Sequence, residues 1–417
     1  MWCLPAETGR SMERRIRAYA ELIVRKGVNV QSGQRVVITA DTETAAFVRL
    51  LADAAYNAGA AHVHVHWADE AVSKMMYLRA DHEALRRVDP WRVEYYRYYD
   101  GINACYIFID SDDPELLSEV EPERIKDASK STGTAFKAHD EMISANRVRW
   151  TVAGVPSRAW AAKVFPDLAE EEAVGALWAK ILGASRVDVD PVAAWQEHDR
   201  MFKERLNFLN GSAFAALRFT NALGTDLRLE LPRGHYWEGG SNTAADGKHF
   251  FPNIPTEEVY TLPHCRSAKG RVVASMPLTY NGVTIEDFEL AFEAGRVVSH
   301  KAGRNAKVLE GILELDEGAR MLGEVALVPH LSPISRMNTR FHSTLFDENA
   351  SCHLALGKAY PMIHGYDGLS PEQAEACGIN DSITHVDFMF GTADLCATGF
   401  TADGREVPIF INGNWAI

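Results

Sequence analysis

The chain has 417 residues, of which 47% are hydrophobic and 24% charged, and carries a formal net charge of -14. At about 100–200 residues per domain this length predicts two domains, with enough apolar mass to fold without disulfides. An acidic chain with no basic stripe is not built to grip phosphates, so nucleic acid is excluded as a partner; Arg86, Arg87, Arg92 and Arg97 alternate with acids and tyrosines as a solvated helix face does.

Cys3, Cys105, Cys265, Cys352, Cys377 and Cys396 are far apart and form no CxxC pair. A zinc finger and a disulfide framework are therefore excluded, and scattered free thiols fit a reducing compartment. The start, Met1-Trp2-Cys3-Leu4-Pro5, lacks the basic and apolar regions of a signal peptide. With no apolar run of about 18 residues, the expected location is the cytoplasm, and no membrane partner is expected.

In chain order, Ile16, Tyr19, Ala20, Ile23 and Val24 repeat at helical spacing, with Ser11 as the expected cap and Gly27 as the stop. Arg35-Val36-Val37-Ile38-Thr39 predicts a strand, residues 42–57 a helix stopped by Gly59, and residues 62–67 a second strand. Strand, helix and strand within about 30 residues make a βαβ unit with a parallel pair. The apolar stretch 105–109 predicts a third strand buried on both faces. A helical region at 159–209 carries the expected boundary, which divides the chain into an α/β domain at 1–208 with a mostly parallel open sheet and an antiparallel-rich α+β domain at 209–417. Past that boundary the pattern alternates. Residues 214–220 and 227–231 flank Asn221-Ala222-Leu223-Gly224-Thr225 as a hairpin, and Asn281-Gly282, Asp403-Gly404 and Asn412-Gly413 are turn signals.

Four places in the second half carry donors suited to a metal. Glu257-Glu258 places two repelling carboxylates ahead of an apolar strand. Glu324 opens the apolar run Val325-Ala326-Leu327-Val328, and a buried carboxylate must be paired, protonated or metal-bound. His353 sits among small and apolar residues. His385-Val386-Asp387 lies in a strand-like segment, where residues i and i+2 share a face. Each has an ordinary structural reading when taken singly. Together they offer three carboxylates, two imidazoles and a spare acid, an inventory better suited to two metals than to one.

These segments carry a resemblance. Asn253-Ile254-Pro255-Thr256-Glu257-Glu258-Val259-Tyr260-Thr261, Gly323-Glu324-Val325-Ala326-Leu327-Val328, Leu345-Phe346-Asp347-Glu348-Asn349-Ala350-Ser351-Cys352-His353-Leu354-Ala355-Leu356-Gly357 and His385-Val386-Asp387-Phe388-Met389 are similar to motifs of the aminopeptidase T family, the thermophilic-type aminopeptidases. The resemblance implies that Glu258, Glu324, His353, His385 and Asp387 hold two divalent ions (Zn, Co, Mn or Mg) and that Tyr360 is an active-site tyrosine. It implies cleavage of the first peptide bond of short peptides, a preference for hydrophobic N-terminal residues, and a homodimer. Glu257 or Glu258 is the expected proton carrier, with their division of labour left open, and the first domain is expected to shape access and assembly.

Three other features are read as structural. His62, His64 and His66 share one strand face but lie in the βαβ unit. Cys352 adjoins His353, yet neighbours on an extended chain point opposite ways. Asp110, Asp112 and Asp113 form a solvated strand end. No GxSxG, P-loop or GxGxxG occurs. The competing function is a mononuclear non-haem Fe(II) ring-cleaving oxygenase using His353, His385 and Asp387; Glu258 and Glu324 are surplus to it.

Overall fold

The computed structural model describes residues 6–188, 190–280 and 283–417. They divide into two compact units: Met1–His198 with Ser241–Pro255, and Asp199–Gly240 with Thr256–Ile417.

The first unit is built on a five-stranded parallel sheet. Strand Arg35–Asp41 lies between Cys105–Asp110 and His62–Ala68, all three parallel. Its middle residues Val36, Val37 and Ile38 are fully buried, as in a strand covered on both faces. Trp150–Gly154 and the two-residue strand Asn253–Ile254 extend the sheet beyond Cys105–Asp110. The second of these comes from the segment that returns to the first unit, a re-entry that local patterning does not signal. The 42–57 stretch is a short 3-10 turn, Thr42–Thr44, followed by helix Ala45–Asn57, and Asp41 caps the turn by accepting from the Glu43 amide. The first helix starts at Ala6, so Ser11 lies inside it rather than capping it. No proline stands between Ala6 and Ser11 to stop the helix from extending backwards. Tyr19, Phe47 and Trp178 pack ring against ring, with centroids 5.5–6.4 Å apart, between helices Ala6–Leu22, Ala45–Asn57 and Glu170–Ala184.

The second unit is antiparallel. One sheet has eight strands and contains the hairpin Ala216–Thr220 with Asp226–Glu230. Its turn is tied by the Asn221 side chain, which accepts from the Gly224 and Thr225 amides. Strands Leu278–Tyr280 and Val283–Ile285 pair as a separate ribbon; the expected turn between them, Asn281 and Gly282, lies outside the described residues. The other large sheet has five strands in the order His385–Met389, His353–Gly357, Leu322–Leu327, Val259–Thr261, Glu238–Gly239. Val325, Leu327, Leu354, Leu356, Val386 and Phe388 from this sheet enter the apolar core of the unit. The opposite face carries the site.

Candidate metal centre

Strand register explains why widely separated residues meet. Glu324 is paired with Ala355, and Ala355 with Asp387. Residues directly opposite in an antiparallel sheet share a face, so two carboxylates flank one methyl group. His353 and His385 lie two residues before Ala355 and Asp387 and share that face. The small side chain of Ala355 leaves space between the acids.

Gly323 sets this arrangement. The ladder slips between Leu322 and Glu324, so the strand carries one extra residue there. A Cβ at 323 would lie 2.3 Å from the Lys358 carbonyl oxygen, too close for any side chain. Leu322 can therefore face the apolar core while Glu324 faces the site.

Glu258, Glu324 and His353 are buried and present donor atoms all within 4.8 Å of one another, a grouping that fits one metal ion. His353 Nε2 lies 3.2 Å from Glu258 and 3.5 Å from Glu324; His385 Nε2 lies 3.4 Å from Asp387 and 3.8 Å from Glu324. Glu257 is buried beside Glu258 but does not join the group. Its amide donates to Asn349 Oδ1 at 2.6 Å, which ties the 255–258 segment to the turn before His353.

Both imidazoles are oriented from behind. His353 Nδ1 is 3.1 Å from the Ser351 carbonyl and His385 Nδ1 is 2.7 Å from the Lys358 carbonyl. A carbonyl only accepts, so each Nδ1 carries the hydrogen and each Nε2 turns its other bonding position toward the acids. This is the outer support that metal-bound histidines use.

Sequence reasoning missed Glu348, which stands in the 3-10 turn Glu348–Ala350 and has no periodic pattern to mark it. Burial, then Glu258 and Asp387, push its carboxyl well above the ordinary range. Tyr260 was also missed, although its place two residues after Glu258 was a signal; burial, then Glu238, Glu324 and Glu258, raise its phenol. Burial raises Glu324 as well. Burial alone would lower both histidines, but Glu258 and Glu324 lift His353 well above its usual value, while Asp387 and Glu324 push His385 up to about 9. In turn His385 holds Asp387 below the usual range in spite of its burial. Among the described residues, no lysine or arginine pairs with Glu258, Glu324, Glu348 or Asp387. Buried acids met only by imidazoles, with no lysine or arginine, fit divalent metal, which would take the place of the protons that the imidazoles otherwise hold.

Tyr360 is 44% exposed, and its ring stands edge-on to His385 with centroids 5.4 Å apart. Burial, then Glu324, Asp387 and Glu348, raise its phenol, so it remains a hydrogen-bond donor at neutral pH.

The features read as structural have other surroundings. His64 packs on Tyr95 and Tyr99, and His66 on Tyr95, at ring distances of 5.4–5.6 Å. Burial pushes the Cys352 thiol up to about 12, leaving it un-ionised and a poor nucleophile. An open cleft of about 490 Å³ in the first unit is lined by Asp41, Glu43, Asp69, Glu70 and Lys74 and by none of the metal-centre residues.

A buried sheet face of carboxylates and oriented imidazoles is a candidate site for divalent metal. The family model described as Thermophilic metalloprotease (M29) matches residues 12–415. Aminopeptidase AmpS of Bacillus subtilis is 45% identical over 97% of this chain and 99% of its own length. Aminopeptidase T of Thermus thermophilus is 38% identical over 98% of this chain and 100% of its own. The solved structure of wild-type AmpT from Thermus thermophilus superposes with a TM-score of 0.91 at 37% identity, covering 97% of this chain and 100% of that one. A 2,5-dihydroxypyridine dioxygenase from Pseudomonas putida KT2440 shares the fold at a TM-score of 0.54 but only 12% identity, a likeness of fold alone. The chain belongs to the thermophilic metalloprotease (M29) family, and its enzyme class is metallo-aminopeptidase.

Proposed function

We propose that the protein removes the N-terminal residue of short peptides with two divalent ions held by Glu258, Glu324, His353, His385 and Asp387. The observation that carries this reading is the pair of imidazoles fixed through Nδ1 and turned, through Nε2, toward acids that no lysine or arginine balances. Glu258, Glu324, Glu348 and Asp387 would together carry four negative charges, which two divalent ions neutralise. Zn, Co, Mn and Mg all suit such donors. When bound, the ions supply a water of lowered pKa and polarise the scissile carbonyl.

The chain's own groups do the rest. Tyr360 donates a hydrogen bond to the oxygen that becomes negative as the carbonyl is attacked. Glu257 or Glu258 takes the proton of the attacking water and returns it to the leaving amine, and Glu348 is a further carboxyl at hand for that transfer. A free α-amine is recognised by carboxylate, which confines cleavage to the first bond. Hydrophobic N-terminal residues are preferred, the enzyme works in the cytoplasm as a homodimer, and the 1–208 region serves access and assembly. Among the described residues no helix is long and apolar enough to cross a membrane.

The decisive experiment strips the protein with chelator and restores Zn, Co, Mn, Mg or Fe(II) in turn. A leucyl chromogenic amide is then tested with and without oxygen. Release independent of oxygen and saturating near two metals per chain is expected. Oxygen uptake with Fe(II) and an aromatic substrate, without amide release by any metal, would overturn the proposal in favour of the oxygenase. In the restored enzyme, Tyr360→Phe is expected to lower kcat by roughly 10²–10³, the effect of one lost oxyanion donor; a change confined to KM would assign Tyr360 to substrate binding.

A further inference from the structure

The five-stranded sheet that holds the metal donors carries one more acid on the same face. Its outer edge is the two-residue strand Glu238–Gly239. His353 lies opposite Ala326, Ala326 opposite Tyr260, and Tyr260 opposite Glu238, so these side chains form one row across the sheet. Trp237 and Val259, each next to a member of the row, enter the apolar core, so the row itself faces away from that core. The edge strand lies hard against the Glu258 segment: a Cβ at Gly239 would stand 2.4 Å from the Glu258 carbonyl oxygen.

Glu238 is half-buried, and among the described residues no hydrogen bond or ion pair engages its carboxylate. Burial alone raises that carboxyl above its ordinary range. A carboxylate kept partly dry without a partner fits a cation from outside the chain. That cation is not one of the metal ions, because Glu238 does not join the donor group of Glu258, Glu324 and His353. At about 4.8 Å between strands, its backbone stands about 10 Å along the sheet from the strand of Glu324. Tyr260 occupies the interval, with its ring 6.4 Å from that of Tyr360. Tyr236 and Tyr260 both pack on the apolar cluster of Leu262, Met362 and Ile363. A scissile carbonyl at the metals keeps the neighbouring α-amine there as well. Only the far end of a long side chain crosses Tyr260 to reach Glu238. Lysine and arginine have that form, an apolar stem with the charge at its tip.

We propose that Tyr260 and Glu238 form the pocket for the side chain of the substrate's first residue, and that Glu238 admits lysine or arginine there by pairing with the cationic tip. The inference rests on the peptidase reading above and extends it from hydrophobic first residues to basic ones. A stem laid along the tyrosine ring serves both classes, and the carboxylate adds a partner for the basic class alone. Glu238 is a specificity-determining residue and takes no part in breaking the bond.

The test uses lysyl and norleucyl p-nitroanilides, whose first residues share one aliphatic stem and differ in the terminal charge. Full-length, metal-loaded wild type and Glu238→Gln are assayed on both. Glu238→Gln is expected to lower the ratio of kcat/KM for the lysyl amide to that for the norleucyl amide by roughly 10–100-fold, the size of one hydrogen bond to a charged group. Glu238→Lys should lower it further. Calorimetric titration with free lysine and free norleucine gives a readout without turnover, and Glu238→Gln should shift the ratio of their Kd values in the same sense. A ratio unchanged in Glu238→Gln, or a fall shared equally by both amides, would overturn the assignment and leave the peptidase standing. So would a wild type that cleaves the norleucyl amide and not the lysyl one. Release of neither amide by metal-loaded wild type would overturn the peptidase reading and this inference with it.

Discussion

Two buried sheets in this molecule differ in what they bury. In the first unit, Val36, Val37 and Ile38 pair with Cys105, Tyr106 and Ile107, and every one of these side chains is apolar or aromatic. In the second, strands Leu322–Leu327 and His353–Gly357 are buried along their whole length, yet they hold Glu324 and His353. Burial alone does not distinguish a structural sheet from a functional one. The distinction is that one face of the second sheet carries carboxylates that, among the described residues, no lysine or arginine balances and only the imidazoles of His353 and His385 meet. Its other face, in the apolar core, offsets the cost of keeping that charge dry.

The sharpest way to break this contrast is to remove a charge from the second sheet. Asp387→Ala is expected to abolish peptidase activity and metal content while leaving the circular dichroism intact; activity that survives would remove Asp387 from the ligands. The matching change in the first sheet, Ile107→Ala, is expected to do the reverse. It should cost about 2–5 kcal/mol in urea unfolding, as a large-to-small core substitution does, with metal content unchanged. Next in size is chelation of the wild type. At a metal concentration about 100 times Kd each bound ion adds about 2.7 kcal/mol. That amount should disappear on chelation in wild type, and Asp387→Ala should show no such loss.

The smallest effect belongs to the first unit. Burial, opposed by the Asp113 amide and assisted by Asp112 and Asp41, raises the Glu70 carboxyl from 4.5 to about 7. Between those values the folded chain holds a proton that the unfolded chain releases, so stability falls as pH rises through the window and levels off above it. Urea unfolding at several pH values should show this slope, and Glu70→Gln should flatten it. A slope unchanged in the variant would place its source elsewhere.

Much of this was legible in the sequence, for specific reasons. The runs at 35–39 and 105–109 are apolar throughout because both faces are covered, and the strands stand there. Glu324 and His353 were conspicuous as lone polar residues in apolar runs, and His385 with Asp387 by their i, i+2 spacing. The structure sets these four on one sheet face, with Glu258 3.2 Å from His353. Glu348 was not legible as a member of the site, because a three-residue turn has no periodicity and its meaning arises only when distant strands converge. Strand Asn253–Ile254 is two residues long and joins the first unit from far along the chain, which no local pattern reports. The helix Glu70–Arg79 escaped because its apolar residues are spread round the helix and form no stripe.

The slip at Gly323 works like a phase shift in a two-beat rhythm. Before it, odd and even positions of the strand address one pair of surfaces; after it, their assignments are exchanged. Were the ladder to run regularly through that residue, composition and hydropathy would be unchanged, yet either Leu322 or Glu324 would then address the wrong side. The position of a carboxylate among its partners therefore depends on counting as much as on chemistry, and a one-residue slip of register would silence the site without touching any residue that forms it.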